Sequence, residues 1–375
     1  MNGWREKVAR GGDYHLLRVL KLWSKNHQIS FIMPKLGREF TVCMLSKKPP
    51  IYISSQRDEE LKGLRAVVKD YVTRTVKSLF LRCEKKPDII VSSSHLFYDI
   101  FPATFLRKFY NNKSKLVVYI FHLFSSYRVY SEGIWNIFSL ISERISLLLC
   151  KKADLIFVDN DTIKIALVSK GFIDKKIFVT RNGIEHGFIN SIKEGEKRFD
   201  GCFCGHLDKR KGVYDLIDIW QRVVASVSVA ELVVIGQGPE STGLAKEIEN
   251  KNLQKNVKLV GFLPEDQKIS IMKSSKIFLF PSYEEGWGIA LSEAMACGLP
   301  AVCYNLAAYD VFGNAIIKVE VRNKETMANK VIDLLTNESK QKSLGDRAKE
   351  VTRCLDWDDI AAEELGEISR LGLNN

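Results

Sequence analysis

The sequence predicts an α/β protein of two doubly wound, Rossmann-like domains that face each other across a cleft. The chain has 375 residues, which is long for a single core and comfortable for two domains. Hydrophobic residues make up 46% of it, enough to bury both cores. Short β-rich runs alternate with helical patterns in each half, which is typical of parallel sheets covered by helices.

In the first half, β-rich runs cover residues 29–33, 89–91, 116–121 and 155–158. Helical patterns lie between them, for example over 15–24 and 59–81. A doubly wound domain normally opens with a strand, yet no β-rich run precedes Gly11-Gly12. Either the domain starts atypically or the chain begins late.

In the second half, strands are predicted over residues 202–204, 232–235, 257–260, 277–280 and 301–303. Residues 179–184 link the two halves, and Asn182-Gly183 within them indicates a tight turn at the end of a strand. We therefore expect the first domain to cover residues 1–180 and the second to cover 181–357. In open α/β sheets, ligands bind outside the carboxyl ends of the strands.

The charge and the cysteines limit the classes of function. The net charge is +11 with a pI near 9.1, which favours phosphate groups or anionic lipid as partners. No nucleic-acid-binding module is recognised, so no nucleic acid partner is expected. The eight cysteines contain no C-x-x-C pair and no zinc spacing, which indicates buried thiols in a reducing compartment.

Two stretches bear on membranes. Residues 1–12 are polar and charged, so they do not resemble a signal peptide and we expect a cytoplasmic protein. The most apolar long stretch covers residues 134–150. Glu143 and Arg144 interrupt it, and it is shorter than the roughly 20 residues of a membrane span. It predicts a helix packed in the domain, the alternative being a membrane-associated helix.

The segment from Pro281 to Pro300 carries the strongest chemical signal. A buried strand ends at Pro281, a loop with two glycines follows, and a short helix stops at Gly298. Glu285 lies on the loop and Glu293 about one turn into the helix. Each carboxylate could accept hydrogen bonds from vicinal hydroxyls, one from a sugar and one from a ribose, whereas isolated acids would indicate only a polar surface. The helix N-terminus offers N–H groups to an anion.

This segment resembles the E-x7-E signature of the family-four retaining glycosyltransferases, which have the GT-B fold. Six other segments resemble family motifs in the right order, at residues 11–12, 86–90, 153–158, 182–185, 205–212 and 355–359. They correspond to a glycine loop, a Pro-Asp strand entry, an Ala-Asp strand, the interdomain linker, a phosphate loop and the start of the terminal helix. The resemblance implies that residues 358–375 cross back and pack on the first domain.

The phosphate loop departs from the family at one position. The resemblance assigns to Lys211 the neutralisation of the leaving diphosphate, as a cation on such a loop can do. The family usually has Arg directly after the first glycine, where this chain has His206. Arg210 could supply the missing charge, or His206 could do so when protonated. The alternative is a solvated basic turn.

Further site residues follow from strand ends. Gly236 begins a G-x-G loop. The family reads the base near Phe262 through backbone groups, the alternative being that Phe262 only packs against its neighbours. His122 ends a strand where the family places a His beside the sugar, and His95 follows another strand. The predicted catalytic residues are Glu285, Lys211 and His122. The predicted donor-binding residues are Gly12, Gly205, His206, Arg210, Lys211, Gly236, Phe262, Leu263, Glu285, Gly286, Trp287, Gly288, Ile289 and Glu293.

Two D-x-D strings, at residues 159–161 and 356–358, could hold a metal, but both fall where a helix is expected to start. No metal and no cofactor are therefore expected. The leading hypothesis is retaining hexosyl transfer from a UDP- or GDP-sugar to a glycan, polysaccharide or lipid-linked acceptor on the first domain. The alternatives are a non-catalytic nucleotide-sugar-binding protein and a GT-B phosphorylase or epimerase.

Peripheral contact with the inner face of an anionic membrane is compatible with this hypothesis. Aromatic side chains of the first domain could serve a lipid-linked or polysaccharide acceptor there, although core packing is the simpler interpretation. These aromatic residues are Phe101, Phe105, Tyr110, Phe124 and Tyr127.

Overall fold

The computed structural model describes residues 11–45, 49–56, 64–123 and 134–372. Its contacts separate into two compact units. Domain 1 comprises residues 1–183 and 357–375, and domain 2 comprises residues 184–356. The first boundary lies three residues after the expected position, and the return to domain 1 lies one residue before it.

Domain 1 contains parallel strands in two groups. Strands β1 and β2 pair with each other, and a four-stranded sheet has the order β3-β4-β5-β6. The strands are β1 (Phe31–Pro34), β2 (Ile51–Ser55), β3 (Ile89–Ser92), β4 (Lys115–Ile120), β5 (Leu155–Val158) and β6 (Ile177–Val179). The helices are α1 (Gly11–Trp23), α2 (Arg38–Met44), α3 (Leu64–Phe80), α4 (Phe97–Phe109), α5 (Ile134–Cys150), α6 (Asp161–Ser169) and, at the end of the chain, α14 (Trp357–Ser369).

The core of domain 1 covers both faces of its sheet. Along β4, Val117 and Tyr119 pack into a cluster with α1 and α14. Leu116 and Val118 point the other way, into a cluster with α4 and α5. This double burial explains why β4 is a continuous apolar run, since a parallel sheet is covered on both faces.

The terminal helix α14 packs on domain 1, as the resemblance implied. Its Glu364 is fully buried and accepts hydrogen bonds from the Tyr119 hydroxyl at 2.5 Å and the Thr180 hydroxyl at 2.6 Å. The Nε2 atom of His15, on α1, lies 2.7 Å from the same carboxylate. The Trp23 indole also donates to the Ala361 carbonyl at 2.8 Å. Polar contacts in an apolar core thus fix the register of α14.

Domain 2 is one six-stranded parallel sheet with the order β12-β11-β10-β7-β8-β9. Its strands are β7 (Phe199–Cys204), β8 (Leu232–Ile235), β9 (Val257–Gly261), β10 (Ser275–Phe280), β11 (Ala301–Tyr304) and β12 (Ile317–Val319). Its helices are α7 (His186–Ser191), α8 (Val213–Ser226), α9 (Ser241–Asn250), α10 (Glu265–Lys273), α11 (Ile289–Ala296), α12 (Lys324–Leu335) and α13 (Glu338–Thr352). The chain reverses its direction of travel across the sheet between β7 and β10, which makes that pair the topological switch point.

The sequence predicted the strands of both halves except β2 and β12, and it gave no bounds for β6 (Ile177–Val179). The expectation of a glycine loop at residues 11–12 was wrong, because both glycines lie in the first turn of α1. A Cβ atom on Gly12 would come within 2.8 Å of the Phe121 ring. The absence of a side chain therefore serves close packing of α1 against the residue that follows β4.

The cysteines were only partly predicted. Five thiols are buried: Cys150, Cys202, Cys204, Cys297 and Cys303. Cys43 and Cys354 are exposed and Cys83 is half-buried, so the expectation that all eight are buried was wrong. Both exposed cysteines lie at or just after the end of a helix, where the chain turns toward solvent. Among the described residues, no helix has the length and apolar character needed to cross a membrane.

Candidate functional site

Two loops of domain 2 meet at the switch point, one after β7 and one after β10. The amide of Tyr283 donates to the Arg210 carbonyl at 2.8 Å, which ties the two loops together. Gly212 has φ +62°, and a Cβ atom there would lie 2.0 Å from the Pro281 carbonyl oxygen. Only glycine permits this approach. The local sequence therefore positions the phosphate loop against the loop that carries Glu285.

A third loop, after β8, closes on the same edge of the sheet. The Gly236 amide donates to the Gly261 carbonyl at 2.8 Å. A Cβ atom on Gly236, which has φ +134°, would lie 1.9 Å from the Gly205 carbonyl oxygen. Three predicted elements, at Gly205, Gly236 and the end of β9, are thus brought together.

The cations of the phosphate loop are paired with carboxylates. Lys211 Nζ lies 2.5 Å from Glu285 Oε1. Arg210 Nη2 lies 2.7 Å from Asp208 Oδ2, and Asp208 also accepts from the Arg210 amide at 2.9 Å. An incoming diphosphate would therefore exchange with carboxylates that already orient both cations. Asp208 was missed in the sequence, although an Asp that starts a helical turn is a common capping signal.

Glu284 adds a third acid to this cluster. Burial raises the pKa of its carboxyl, and the neighbouring Glu285 raises it further, while Arg210 and Lys211 lower it. Its Oε2 atom is buried without a hydrogen-bond partner among the described residues. A carboxylate so placed is costly while it is ionised.

Glu293 has a partner that the sequence did not indicate. Its Oε2 atom lies 2.8 Å from Lys268 Nζ, on α10, and Lys268 also contacts Glu265 at 2.7 Å. Burial opposes the charge on Lys268, but Glu293 and Glu265 more than offset that cost, so the pKa of the lysine is raised. Nothing in the pattern of α10 indicates this contact, which depends on how α10 packs beside α11.

The other predicted donor residues of domain 2 differ in accessibility. Phe262 is 61% exposed just beyond β9, which argues against the packing alternative, and His206 is exposed on its loop. The Trp287 side chain is buried and donates to Ser292 Oγ at 2.9 Å, so only its main chain is available to a ligand. The remaining predicted positions, Leu263, Gly286, Gly288 and Ile289, lie at the start of α10 or the start of α11.

Domain 1 contributes a separate histidine cluster at the ends of β3 and β4. The His122 ring stands edge-on to the ring of His95, with centroids 5.4 Å apart at 75°. His95 is buried, and its Nε2 lies 3.2 Å from Glu143 Oε1. Glu143 belongs to α5 and had no assigned role. The placement of His122 and Gly12 beside the residues of domain 2 stays a prediction.

The D-x-D strings lie at helix starts, as expected. Asn160 rather than an aspartate caps α6, because its side chain accepts from the Ile163 amide at 2.9 Å. In the second string, Trp357 is the first residue of α14.

Residues 187–351 match the family model for glycosyl transferases group 1. The matched residues lie within domain 2. The chain is 27% identical, over 182 residues, to N-acetyl-alpha-D-glucosaminyl L-malate synthase of Bacillus anthracis; the match covers 48% of this chain and about half of that relative, 46%. It is also 27% identical over 268 residues to a Campylobacter jejuni protein, with 69% of this chain and 71% of the relative covered. That protein is N-acetylgalactosamine-N,N'-diacetylbacillosaminyl-diphospho-undecaprenol 4-alpha-N-acetylgalactosaminyltransferase.

Solved structures agree on the fold. The chain superposes on Anabaena Alr3699/HepE, solved in complex with UDP and glucose, with a TM-score of 0.75 at 15% identity over 98% of both chains. The fold is GT-B, as predicted.

Proposed function

We propose that this protein is a glycosyltransferase that moves a hexosyl group from a UDP- or GDP-sugar to a glycan, polysaccharide or lipid-linked acceptor, with retention of configuration and without a metal. The observation that carries the proposal is the Lys211–Glu285 pair, 2.5 Å apart at the switch point of domain 2. It combines a cation for the departing diphosphate with a carboxylate for the sugar, on loops that glycines bring into contact.

The roles follow from exposure and partners. Lys211 and Arg210 hold the diphosphate at the glycine loops. Glu285 accepts from sugar hydroxyls, and Glu293 binds the ribose beside Lys268, which contacts its Oε2. The exposed Phe262 ring provides a surface for the base. For His122, in domain 1, we carry over the role beside the donor sugar that the family resemblance implies. Its ring packs against His95, which is held by Glu143, and this contact limits its freedom of rotation.

In the proposed reaction, the acceptor hydroxyl attacks the anomeric carbon from the face that the diphosphate leaves. The bond between that carbon and the β-phosphate oxygen breaks, and the departing diphosphate takes the hydroxyl proton. Lys211 stabilises the charge that develops on the leaving group, as preorganised cations do. The electrostatic interaction between the Glu285 carboxylate and the sugar ring strengthens as positive charge grows on the ring.

The acceptor class rests on the relatives. The Campylobacter jejuni relative is named for a diphospho-undecaprenol substrate, which supports a lipid-linked acceptor for this chain too. A glycan without a lipid carrier would use the same donor site.

A donor screen followed by product analysis tests the proposal. UDP- and GDP-sugars are first ranked by thermal shift, because a ligand of the folded state raises its stability. The best donor is then incubated with lipid-linked and free glycans, and proton NMR reads the anomeric configuration of the first product. We expect retention, and turnover that survives EDTA. An inverted anomer, or full loss in EDTA with rescue by Mg²⁺ or Mn²⁺, would contradict the mechanism. Donor binding without turnover on any acceptor would favour a binding protein.

A further inference from the structure

Three helices of domain 1, α3, α4 and α5, lie side by side, with α4 between the other two. Each ends shortly before one of the parallel strands β3, β4 and β5. Their C-terminal ends therefore point toward the same edge of the sheet, the edge opposite the carboxyl ends of the strands. The guanidinium carbon of Arg82, just after α3, lies 4.1 Å from the centre of the Phe109 ring at the end of α4. The C-terminal ends of α3 and α4 are therefore in contact.

The outer surface of this layer carries large apolar side chains. On α3, residues 68, 72, 76 and 80 are spaced by four and form one line along the helix. Phe80 is 77% exposed and Leu148, near the end of α5, is 62% exposed. Together the three helices expose Val68, Val72, Val76, Phe80, Phe105, Phe109, Ile141, Ile145 and Leu148, nine of the seventeen large apolar side chains that are exposed among the described residues. We call this surface the α3–α5 face.

The exposure of Phe105 corrects the expectation that the aromatic residues of this domain form core. Phe101 and Tyr110 are half-buried, and Phe124 and Tyr127 lie outside the described residues. The prediction of α5 as a packed helix was correct for one side only, because Leu147 and Cys150 are buried while Ile141, Ile145 and Leu148 face outward.

The charges of the α3–α5 face have one sign. Each helix contains a single acid, and all three, Asp70, Asp99 and Glu143, are buried against partners within the domain. The charged side chains exposed on the described parts of these helices are cations: Lys69, Lys77, Lys108 and Arg144. The connections at the helix ends add exposed Lys85, Lys86, Lys113, Lys151 and Lys152 against Glu84 and Asp88.

We infer that the α3–α5 face binds the surface of an anionic phospholipid bilayer, with its apolar side chains at the acyl boundary and its lysines at the headgroups. Charge complementarity decides this choice of partner. An apolar surface alone would suit another protein, but burial of the acid of each of the three helices beneath an outward layer of cations matches a continuous negative surface. Peripheral binding also agrees with the helices themselves, none of which is long and apolar enough to cross a membrane in the described ranges.

The test uses the full chain and vesicles of phosphatidylcholine with or without phosphatidylglycerol, separated by sedimentation. We expect binding to the anionic vesicles only, weakening as salt is raised, because salt screens exposed charges. Two variants test the apolar and the cationic side chains separately. The apolar variant is Phe80→Ser/Phe109→Ser/Leu148→Ser, and the charge variant is Lys77→Glu/Lys108→Glu/Lys151→Glu. Each cation near such a surface changes partitioning by about 5-fold, so the charge variant should lose more than about 10-fold.

Matched controls come from domain 2, where Val229→Ser/Val311→Ser and Lys255→Glu/Lys330→Glu/Lys342→Glu alter equally exposed residues. These should bind as the unmodified chain does. The inference is overturned if the folded chain ignores anionic vesicles, or if the control variants lose binding equally. It is also overturned if the α3–α5 variants only convert an oligomer to a monomer, which would identify a second copy as the occupant. Donor hydrolysis, measured without vesicles, is expected to stay unchanged and separates this result from the proposed function.

Discussion

The two domains share a parallel-sheet plan but place their charged groups differently. In domain 2, acids pair with lysines at the carboxyl edge of the sheet, as in Lys211–Glu285 and Lys268–Glu293. In domain 1, the acids of three helices are buried and the cations remain outside. Of the seventeen large apolar side chains exposed among the described residues, twelve belong to domain 1 and five to domain 2. The same parallel-sheet architecture thus carries paired charges at the carboxyl edge of the sheet in domain 2 and an apolar, cationic helical face in domain 1.

The contrast extends to single carboxylates. Glu364 in domain 1 is fully buried and contacts two hydroxyls and a histidine, so its role is to stabilise the fold. Glu285 in domain 2 is held by one lysine on a loop, where a ligand can replace that contact. We therefore expect a substitution of Glu364 to lower the stability of the protein and a substitution of Glu285 to lower its turnover.

The largest effect is expected for Glu364→Gln. The amide removes the charge that faces His15 and puts an N–H donor against one of the two donating hydroxyls, so the free energy of unfolding should fall by about 3–5 kcal/mol. Urea denaturation measures it. Glu363→Gln changes the exposed neighbour on the same helix and should be neutral. Equal stability of both variants would show that the buried network does not hold α14.

Glu285→Gln should preserve the fold and cut kcat by roughly 10–1,000-fold, equivalent to about 1.4–4 kcal/mol of transition-state stabilisation. Gln keeps the size of the side chain, so packing should not change. Steady-state kinetics with the donor found by the screen measures the effect, with the exposed Glu320→Gln as control. Unchanged kinetics for Glu285→Gln and Glu293→Gln together would require withdrawal of this donor site.

Glu293→Gln should act on both binding and stability. The variant loses a contact to the ribose that is equally strong in the ground state and in the transition state. This loss raises the donor KM and leaves kcat near its original value. The variant also deprives the buried Lys268 of its main partner, so the free energy of unfolding should fall by about 1–3 kcal/mol. Glu265→Gln removes the exposed partner of the same lysine and should cost less than about 1 kcal/mol. A KM effect of equal size in both variants would show that it arises from Lys268 and not from the ribose.

Glu284→Gln should stabilise the protein at neutral pH. Burial raises the pKa of Glu284 in the folded state, so the folded protein holds this proton more tightly than the unfolded chain does. That contribution is fully present below the ordinary value of 4.5 and is lost as the pH rises through the folded-state pKa. Thermal unfolding across pH should therefore show a gain for the variant at neutral pH that disappears in acid. A constant difference at every pH would exclude titration of Glu284 as its origin.

The smallest effect is expected for His206→Arg. A guanidinium is charged at every working pH, and the position is exposed, so donor affinity should hold or improve by up to about 5-fold. Isothermal titration with the donor measures it. A large drop in affinity with the fold intact would show that the imidazole makes a contact that Arg cannot make.

The strands of domain 2 were predictable because each central one is a short apolar run bounded by turn residues. The strands missed, β2 and β12, each pair with a single neighbouring strand, and β12 has only three residues. Edge strands are half-exposed, so their composition does not separate them from loops.

The sequence by itself determined the two-domain α/β plan and the position of the loop and helix that carry Glu285 and Glu293, because these depend on local spacing. The donor-binding role predicted for the two glutamates came from the family resemblance. Only the tertiary structure decided that Glu293 meets Lys268, that Glu143 meets His95 and that the acids of α3, α4 and α5 face inward. Each of these depends on which side of a helix packs against its neighbour. A helix with apolar residues on more than one side can turn any of these sides toward the core. The sheet and the adjoining helices decide which side is buried.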